Sequence, residues 1–375
     1  MTCARRLSKF PGVDTPSLRR GWTTGACATA ATRAAAEALI TGQFPDPVLI
    51  RLPGGSEVGF ALAETRLLPN AAEAGVVKDA GDDPDVTHGA MIRARVSRGP
   101  VGSGISFAAG EGVGMVTLPG LPIPPGEPAI NPVPRRMMAE ALAEVSARFG
   151  AGPDWAVEIS IPGGAALAEK TLNGRLGIRG GLSVLGTTGI VIPFSCSAWI
   201  DSIHRGVDVA RALNLGHVAA ATGRTSEEAV QQLYGLPDAA LIDMGDFVGG
   251  TLKYIRRHPV PLLTIAGGPA KMTKLAQGRL DLHSKRGSVD AEALAELARE
   301  IGADAKLVEA IGSANTTLHA FQLAAGLPLA QAIAARAHAT AQAVLDEAPV
   351  ALEILIIDRT GGLIARHPPL SDPSA

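Results

Sequence analysis

H-V-A-A-A-T-G-R-T-S-E-E-A-V-Q-Q-L-Y, residues 217–234, passes from a short apolar run through a small-residue turn into a helical pattern. An apolar run of this length, closed by Thr222-Gly223-Arg224-Thr225, reads as a buried strand feeding a helix. The same order recurs downstream. A-A-L-I-D-M (239–244) precedes a helix from about Phe247 to Arg257, and P-L-L-T-I-A-G-G (261–268) precedes long helical stretches. V-A-L-E-I-L-I-I-D-R (350–359) supplies a late strand. Buried strands alternating with helices predict a Rossmann-like α/β domain with a parallel sheet over 191–375. Ligands of open α/β sheets sit beyond the carboxyl ends of the strands. Three strand-end turns are therefore candidate ligand sites: Thr222-Gly223, Met244-Gly245-Asp246 and Ala266-Gly267-Gly268.

Upstream the pattern differs. G-W-T-T-G-A-C-A-T-A-A-T-R-A-A-A-E-A-L-I (21–40) reads as a helix entered through Thr23, Thr24 and Gly25, whose alanines form a small-faced stripe for close packing. Cys27 falls in its first turn, where the helix dipole lowers a thiol pKa, although close packing is the simpler role. Short strands follow at 48–52, 56–62, 91–96 and 113–118, with a helix at about 134–149 and a strand near 156–161. This predicts an α+β domain with a mostly antiparallel sheet over 1–190.

Composition narrows the function. Apolar residues make up 46% of the 375 and charged ones 19%, so the chain folds. Aromatics are 3%, too few for the stacking platforms of single-stranded nucleic-acid binding, and a net charge of −2 gives no field for nucleic acid or anionic lipid. No apolar run spans a bilayer, and the basic N-terminal arm (1–12) lacks the apolar core of a signal peptide, so a cytoplasmic location is expected. Cys3, Cys27 and Cys196 are scattered, which excludes a zinc site of the CxxC kind.

Phosphate motifs are absent. G-I-R-G-G-L-S-V-L-G-T-T-G (177–189) lacks G-x-G-x-x-G spacing and no P-loop occurs, which argues against a nicotinamide oxidoreductase. That glycine-rich run could hold a small carboxylate or a ribose through its amides, or serve as a tight crossover. V-K-D-A-G-D-D-P-D-V-T-H-G (77–89) concentrates four aspartates, a lysine and a histidine. It lacks the order and closing glutamate of an EF-hand and the ligands of a zinc site. A capped, solvated turn and a proton-handling or substrate-orienting cluster both fit.

Several stretches together resemble the CbiD family, the cobalt-precorrin-5B C(1)-methyltransferases. They are G-W-T-T-G-A-C-A (21–28), the aspartate run (77–89), G-E-G-V-G (110–114) and G-E-P-A-I-N-P-V-P-R (126–135). G-L-S-V-L-G-T-T-G-I-V (181–191), T-G-R-T-S-E (222–227), M-G-D-F-V-G (244–249) and G-P-A-K-M-T-K-L (268–275, with Lys271 and Lys274) complete the ordered set. The resemblance implies methyl transfer from S-adenosylmethionine to ring carbon 1 of a cobalt-containing tetrapyrrole, the cobalt belonging to the substrate and no metal to the protein. Neighbouring cobalamin-pathway enzymes are conceivable partners, and a non-catalytic corrinoid-binding protein is the competing class.

On that basis the cofactor set is Thr222, Gly223, Met244, Gly245, Asp246, Gly267 and Gly268. The carboxylate-rich rim of the macrocycle calls for cations. Arg135, Arg136, Arg175, Arg179, Lys271 and Lys274 are the candidates, with Thr23, Thr24 and Lys78 from the matching motifs completing the substrate-binding set. Asp79, Asp82, Asp83 and His88 are the candidate catalytic groups. Crowded carboxylates raise one another's proton affinity, so at least one could accept a proton near neutral pH, with Lys78 opposing this by favouring the ionised form.

Overall fold

The computed structural model describes residues 18–284 and 287–368. The basic arm at 1–12 and Cys3 lie outside the described residues. The chain is a mixed α/β protein that divides into two compact units, Met1–Cys196 and Ser197–Ala375.

In the first unit the order is β1 (Gly21–Trp22), α1 (Thr24–Thr41), β2 (Val48–Arg51), β3 (Glu57–Phe60), β4 (Glu64–Leu67), β5 (Ala71–Val77) and β6 (Met91–Arg98). Then come β7 (Ile105–Ala109), β8 (Met115–Val116), α2 (Pro132–Phe149), β9 (Trp155–Ser160), α3 (Gly164–Ala168), β10 (Ile178–Arg179) and β11 (Ile190–Val191). The main sheet has five strands in the order β4-β5-β6-β9-β7. All its pairings are antiparallel except β7 with β9.

α1 organises this unit. Thr23 caps it, its hydroxyl accepting from the Ala26 amide at 3.2 Å, and Gly42 ends it in the left-handed region with φ 78°. Alanine is the best helix former, and here it also decides packing: Ala26 through Ala38 are fully buried at every alanine position. The helix lies against α2 on one side and β5 and β6 on the other. Cys27 belongs to this core. Burial pushes its thiol up to about 12, which outweighs any lowering by the helix terminus.

The Gly-rich motifs pack backbone directly on backbone. A Cβ on Gly112 would lie 2.0 Å from the Ile161 carbonyl oxygen; one on Gly181 or Gly164 would lie 2.2 or 2.3 Å from that of Gly112. Extra hydrogen bonds join the same pieces: Gly25 N–H to Leu185 O at 2.9 Å, Gly114 N–H to Leu182 O at 2.9 Å, and Asn131 N–H to Val184 O at 2.9 Å. The run 177–189 is thus a central connector of the first unit, stitching the 21–28, 110–114 and 126–135 motifs together.

The second unit continues from α4 (Cys196–Ala212) through β12 (His217–Ala221), α5 (Arg224–Tyr234), β13 (Leu241–Asp243), α6 (Val248–Arg257), β14 (Leu262–Gly267) and α7 (Pro269–Ala276). α8 (Ala291–Glu300), α9 (Ala305–Gly312), α10 (Thr317–Leu323), α11 (Leu329–Leu345), β15 (Ala351–Ile357) and β16 (Leu363–His367) follow. The sheet order is β13-β12-β14-β15-β16. The first four are parallel and β16 is antiparallel. Inside it Glu353 is fully buried, yet satisfied by Tyr234 Oη (2.5 Å), Thr264 Oγ1 (2.8 Å) and Arg366 Nε (2.5 Å). Among the described residues no helix is long and apolar enough to cross a membrane.

Ala31 sits at the centre of α1 with no room beside it. Ala31→Leu is expected to destabilise the first unit by about 1–3 kcal/mol through overpacking, read as a lower urea midpoint. Ala31→Gly should cost about 1 kcal/mol through propensity. An unchanged midpoint for Ala31→Leu would contradict the close packing of α1.

Candidate active site

β13, β12 and β14 are adjacent and parallel, so their carboxyl ends bring the three predicted turns side by side. Thr222 N–H donates to Ala266 O at 2.9 Å and Met244 N–H to Ala221 O at 3.0 Å. Lys271, in the first turn of α7, ties the group: its Nζ donates to Thr222 O at 2.7 Å and stands 3.1 Å from Asp246 Oδ1. A side chain on Gly267 would strike Thr222 Oγ1 at 2.7 Å, whereas the space beside Gly223 is open. The Asp246 side chain does not cap α6, whose N-cap is Phe247 without a side-chain hydrogen bond. Its half-buried carboxylate is therefore available to a ligand beside Lys271. Met244 is different from its expectation. Its side chain is fully buried in the core of the unit, and it can shape the turn but cannot line a ligand surface.

The aspartate run folds back on β1. Trp22 N–H donates to Asp79 O at 2.7 Å, and Asp82 N–H to Arg19 O at 2.9 Å. Asp79 forms a two-pronged pair with the Arg19 guanidinium and accepts from Gly81 N–H at 2.9 Å. Arg19 and the Gly81 amide hold its carboxyl down at about 2. Asp82 accepts from Arg19 N–H at 2.6 Å and Asp83 from Phe194 N–H at 2.8 Å. The expectation that crowding raises a carboxyl toward neutral pH fails for Asp79, because each aspartate faces a donor of its own instead of another aspartate. His88, half exposed, accepts at Nδ1 from Ala80 N–H at 3.1 Å. Among the described residues no three His, Cys, Asp or Glu groups are arranged to hold a metal ion.

Most of the predicted cations have other partners. Lys78 is 1% exposed and its Nζ lies 2.6 Å from Asp85, so it is a core ammonium and cannot meet a substrate carboxylate. Lys274 is buried with Nζ donating to Leu282 O at 2.9 Å. Arg135 clamps the 127–130 loop, reaching Ile130 O at 2.8 Å, Pro128 O at 3.1 Å and Glu127 at 3.1 Å. Thr23 and Thr24 are buried at the start of α1. These are corrections: Lys78 is committed to Asp85, Lys274 to a backbone carbonyl, Arg135 to its own loop and Glu127, and Thr23 to a backbone amide. Arg136, exposed on α2, lies 3.8 Å from Glu140, and Arg175 sits in a turn with its amide donating to Leu172 O at 3.1 Å. Arg179 is exposed on β10. Lys271 belongs with the strand-end turns.

Sequence reasoning missed Arg19, Asp85 and Trp199. Arg19 lies in a polar arm with no periodicity, and only the fold brings it to Asp79. Asp85 was one of four similar aspartates, distinguished only by the buried Lys78 it faces. Trp199 Nε1–H donates to Asp243 O at 3.1 Å, which sets its ring against the Gly245 turn.

Removing Asp85 leaves a buried ammonium unpaired. Asp85→Asn is expected to cost about 3 kcal/mol, at the low end for a broken buried pair because Asp85 is a quarter exposed; Lys78→Met in the same chain should recover much of it. Burial alone would raise the Asp85 carboxyl, but Lys78 and Thr87 outweigh it and hold it below its ordinary value. A depressed carboxylate stabilises above the unfolded value of about 4 and loses that contribution as pH falls through the folded value. The difference between wild type and Asp85→Asn in urea titrations should therefore be full at pH 7 and shrink below about pH 4. A pH-independent difference would contradict the pairing.

Comparison with known proteins agrees with the motifs. The CbiD family model matches residues 12–193, and the model for the CbiD C-terminal domain matches residues 281–368. A cobalt-precorrin-5B C(1)-methyltransferase of Agrobacterium fabrum is 62% identical over 355 residues, covering 94% of this chain and 94% of the relative. One from Paramagnetospirillum magneticum is 60% identical, covering 94% of this chain and 98% of its own. A crystal structure of the cobalamin biosynthesis protein cbiD from Archaeoglobus fulgidus is 27% identical, covering 72% of this chain and 83% of that chain, with a TM-score of 0.39. With both of its models matched and relatives aligned over nearly their whole length, the chain belongs to the CbiD family.

Proposed function

We propose that this protein transfers the methyl group of S-adenosylmethionine to carbon 1 of cobalt-precorrin-5B, giving cobalt-precorrin-6A in early-cobalt cobalamin biosynthesis. The observation that carries the reading is the 62% identity, over 94% of both chains, to an enzyme of that name. In this reading the Rossmann-like half, 191–375, holds the cofactor, and the α+β half, 1–190, contributes the substrate cleft.

The strand-end turns suit the cofactor. Asp246 is a half-buried acceptor for ribose hydroxyls or an amino group, and the open space at Gly223 lets a ligand approach the backbone. Lys271, 3.1 Å from Asp246 Oδ1, holds that carboxylate in place, and so acts on the cofactor side instead of the macrocycle rim. S-adenosylmethionine supplies an activated methyl group on a sulfonium, so the protein's tasks are alignment, exclusion of water and control of one proton. Arg136 and Arg179, both exposed, remain as rim-binding candidates.

In the aspartate run His88 is the group suited to proton control. With Nδ1 accepting from Ala80, the neutral ring carries its proton on Nε2, which makes it a donor toward the substrate. Asp79, Asp82 and Asp83 orient that loop through Arg19, Gly81 and Phe194.

Single-turnover assays with purified cobalt-precorrin-5B and saturating cofactor, read by mass spectrometry, test the reading. His88→Ala should slow methyl transfer about 10²-fold, within the range of proton-transfer catalysis, whereas Asp82→Asn should stay within about tenfold. Equal losses in the two variants would remove His88 from the chemistry. In calorimetry Asp246→Asn should weaken S-adenosylhomocysteine about tenfold, the scale of one charge-assisted hydrogen bond; unchanged affinity would displace the cofactor from these turns.

A further inference from the structure

Trp199 has an arrangement that the methyl-transfer reading leaves unused. It lies in the first turn of α4 and keeps 46% of its surface exposed, whereas Trp155 is fully buried. An exposed indole ordinarily samples several rotamers. This one is fixed, because Nε1–H donates to the carbonyl of Asp243, the last residue of β13, at 3.1 Å. The bond lays the ring over the turn that follows. A Cβ on Gly245 would come to 3.4–3.6 Å from Trp199 Cζ2, Cε2 and Nε1, so the ring covers the side-chain face of this turn. Phe247 stands beside it, ring centroids 6.3 Å apart and tilted by 48°. The residue after Gly245 is Asp246, whose carboxylate stands 3.1 Å from Lys271 Nζ. The site thus offers a flat apolar wall next to a charged acceptor.

Resting on the cofactor placement proposed above, we infer that Trp199 is the adenine platform of this site, one ring face stacking on the purine while Asp246 accepts from the ribose joined to it. The chemistry favours the purine. A carboxylate paired with a lysine suits vicinal hydroxyls, and the base attached to that ribose lies close to the Asp246 turn, where the indole is the exposed ring and Phe247 is partly buried against the core. A fixed ring binds without losing rotamer freedom, and stacking tolerates small displacements.

The test is titration of wild type, Trp199→Phe and Trp199→Leu with S-adenosylhomocysteine, S-adenosylmethionine and adenosine. Binding is followed by calorimetry and indole fluorescence, and circular dichroism and melting verify the fold of each variant. Stacking predicts that all three ligands quench wild-type fluorescence and that the quench disappears in Trp199→Phe. Trp199→Leu, which keeps apolar bulk without a π face, should weaken all three about tenfold, and Trp199→Phe should restore most of the affinity. A loss confined to S-adenosylmethionine would mean that the ring meets the sulfonium, and would overturn the adenine assignment. Unchanged affinities in Trp199→Leu, with wild type binding normally, would overturn any role for the ring while leaving the methyltransferase reading intact. Wild-type protein that binds neither S-adenosylmethionine nor S-adenosylhomocysteine would overturn the cofactor placement itself.

Discussion

Direct contact between backbone and backbone is the constraint on which the first unit depends. With 44 glycines and an aromatic content of 3%, the chain gains cohesion by bringing main chains close together and not by interlocking large rings. The approach of Gly112 to Ile161, Gly164 and Gly181 fixes three loops that side chains alone would leave apart. α1 extends the same solution, since alanines let α2 and the sheet close on it from two sides. Close approach leaves little slack, so loop positions are set by hydrogen bonds between segments distant in sequence. A site built on such loops is preorganised, which is what alignment of two large substrates requires.

Charge is handled by the same economy. Lys78, Lys274 and Glu353 are buried, and each has a partner: Asp85, the Leu282 carbonyl, and a trio of Tyr234, Thr264 and Arg366. Such groups contribute little net stability while intact but penalise any rearrangement that separates them. They therefore discriminate against alternative packings of a core made of small, similar side chains.

The C-terminal sheet was legible because its strands are buried on both faces and read as apolar runs with turns at their ends. The stretch 217–234 became β12 and α5, and 239–244, 261–268 and 350–359 contain β13, β14 and β15. The first unit was legible in α1, α2, β2, β3, β6 and β9, but α3 and three strands of the main sheet, β4, β5 and β7, were missed. A-A-E-A-G-V-V (71–77) has helix-favouring alanines whose strand conformation is imposed by pairing with β4 and β6. The run at 113–118 shrinks to the two residues of β8 because its ends are occupied by loop-to-loop bonds. At the candidate site, sequence located the three turns, since strand ends follow from strand order. It could not assign partners. Whether Asp79 is raised or lowered depends on Arg19, and whether Lys78 is exposed depends on the fold of a loop with no periodic pattern.

The antiparallel β16 has a consequence for how this protein behaves in concentrated solution. β15, A-L-E-I-L-I-I, is an apolar strand with the residue types that template cross-β growth. One of its sides is taken by β14, and the other would be an open ladder were it not for Leu363–His367 folding back along it. The opposite boundary of the sheet, β13, is three residues long and offers little to recruit a second chain. The fold thus shields its stickiest segment with a short polar-ended ribbon, and loss of that ribbon would leave an apolar edge open to pairing with a second chain.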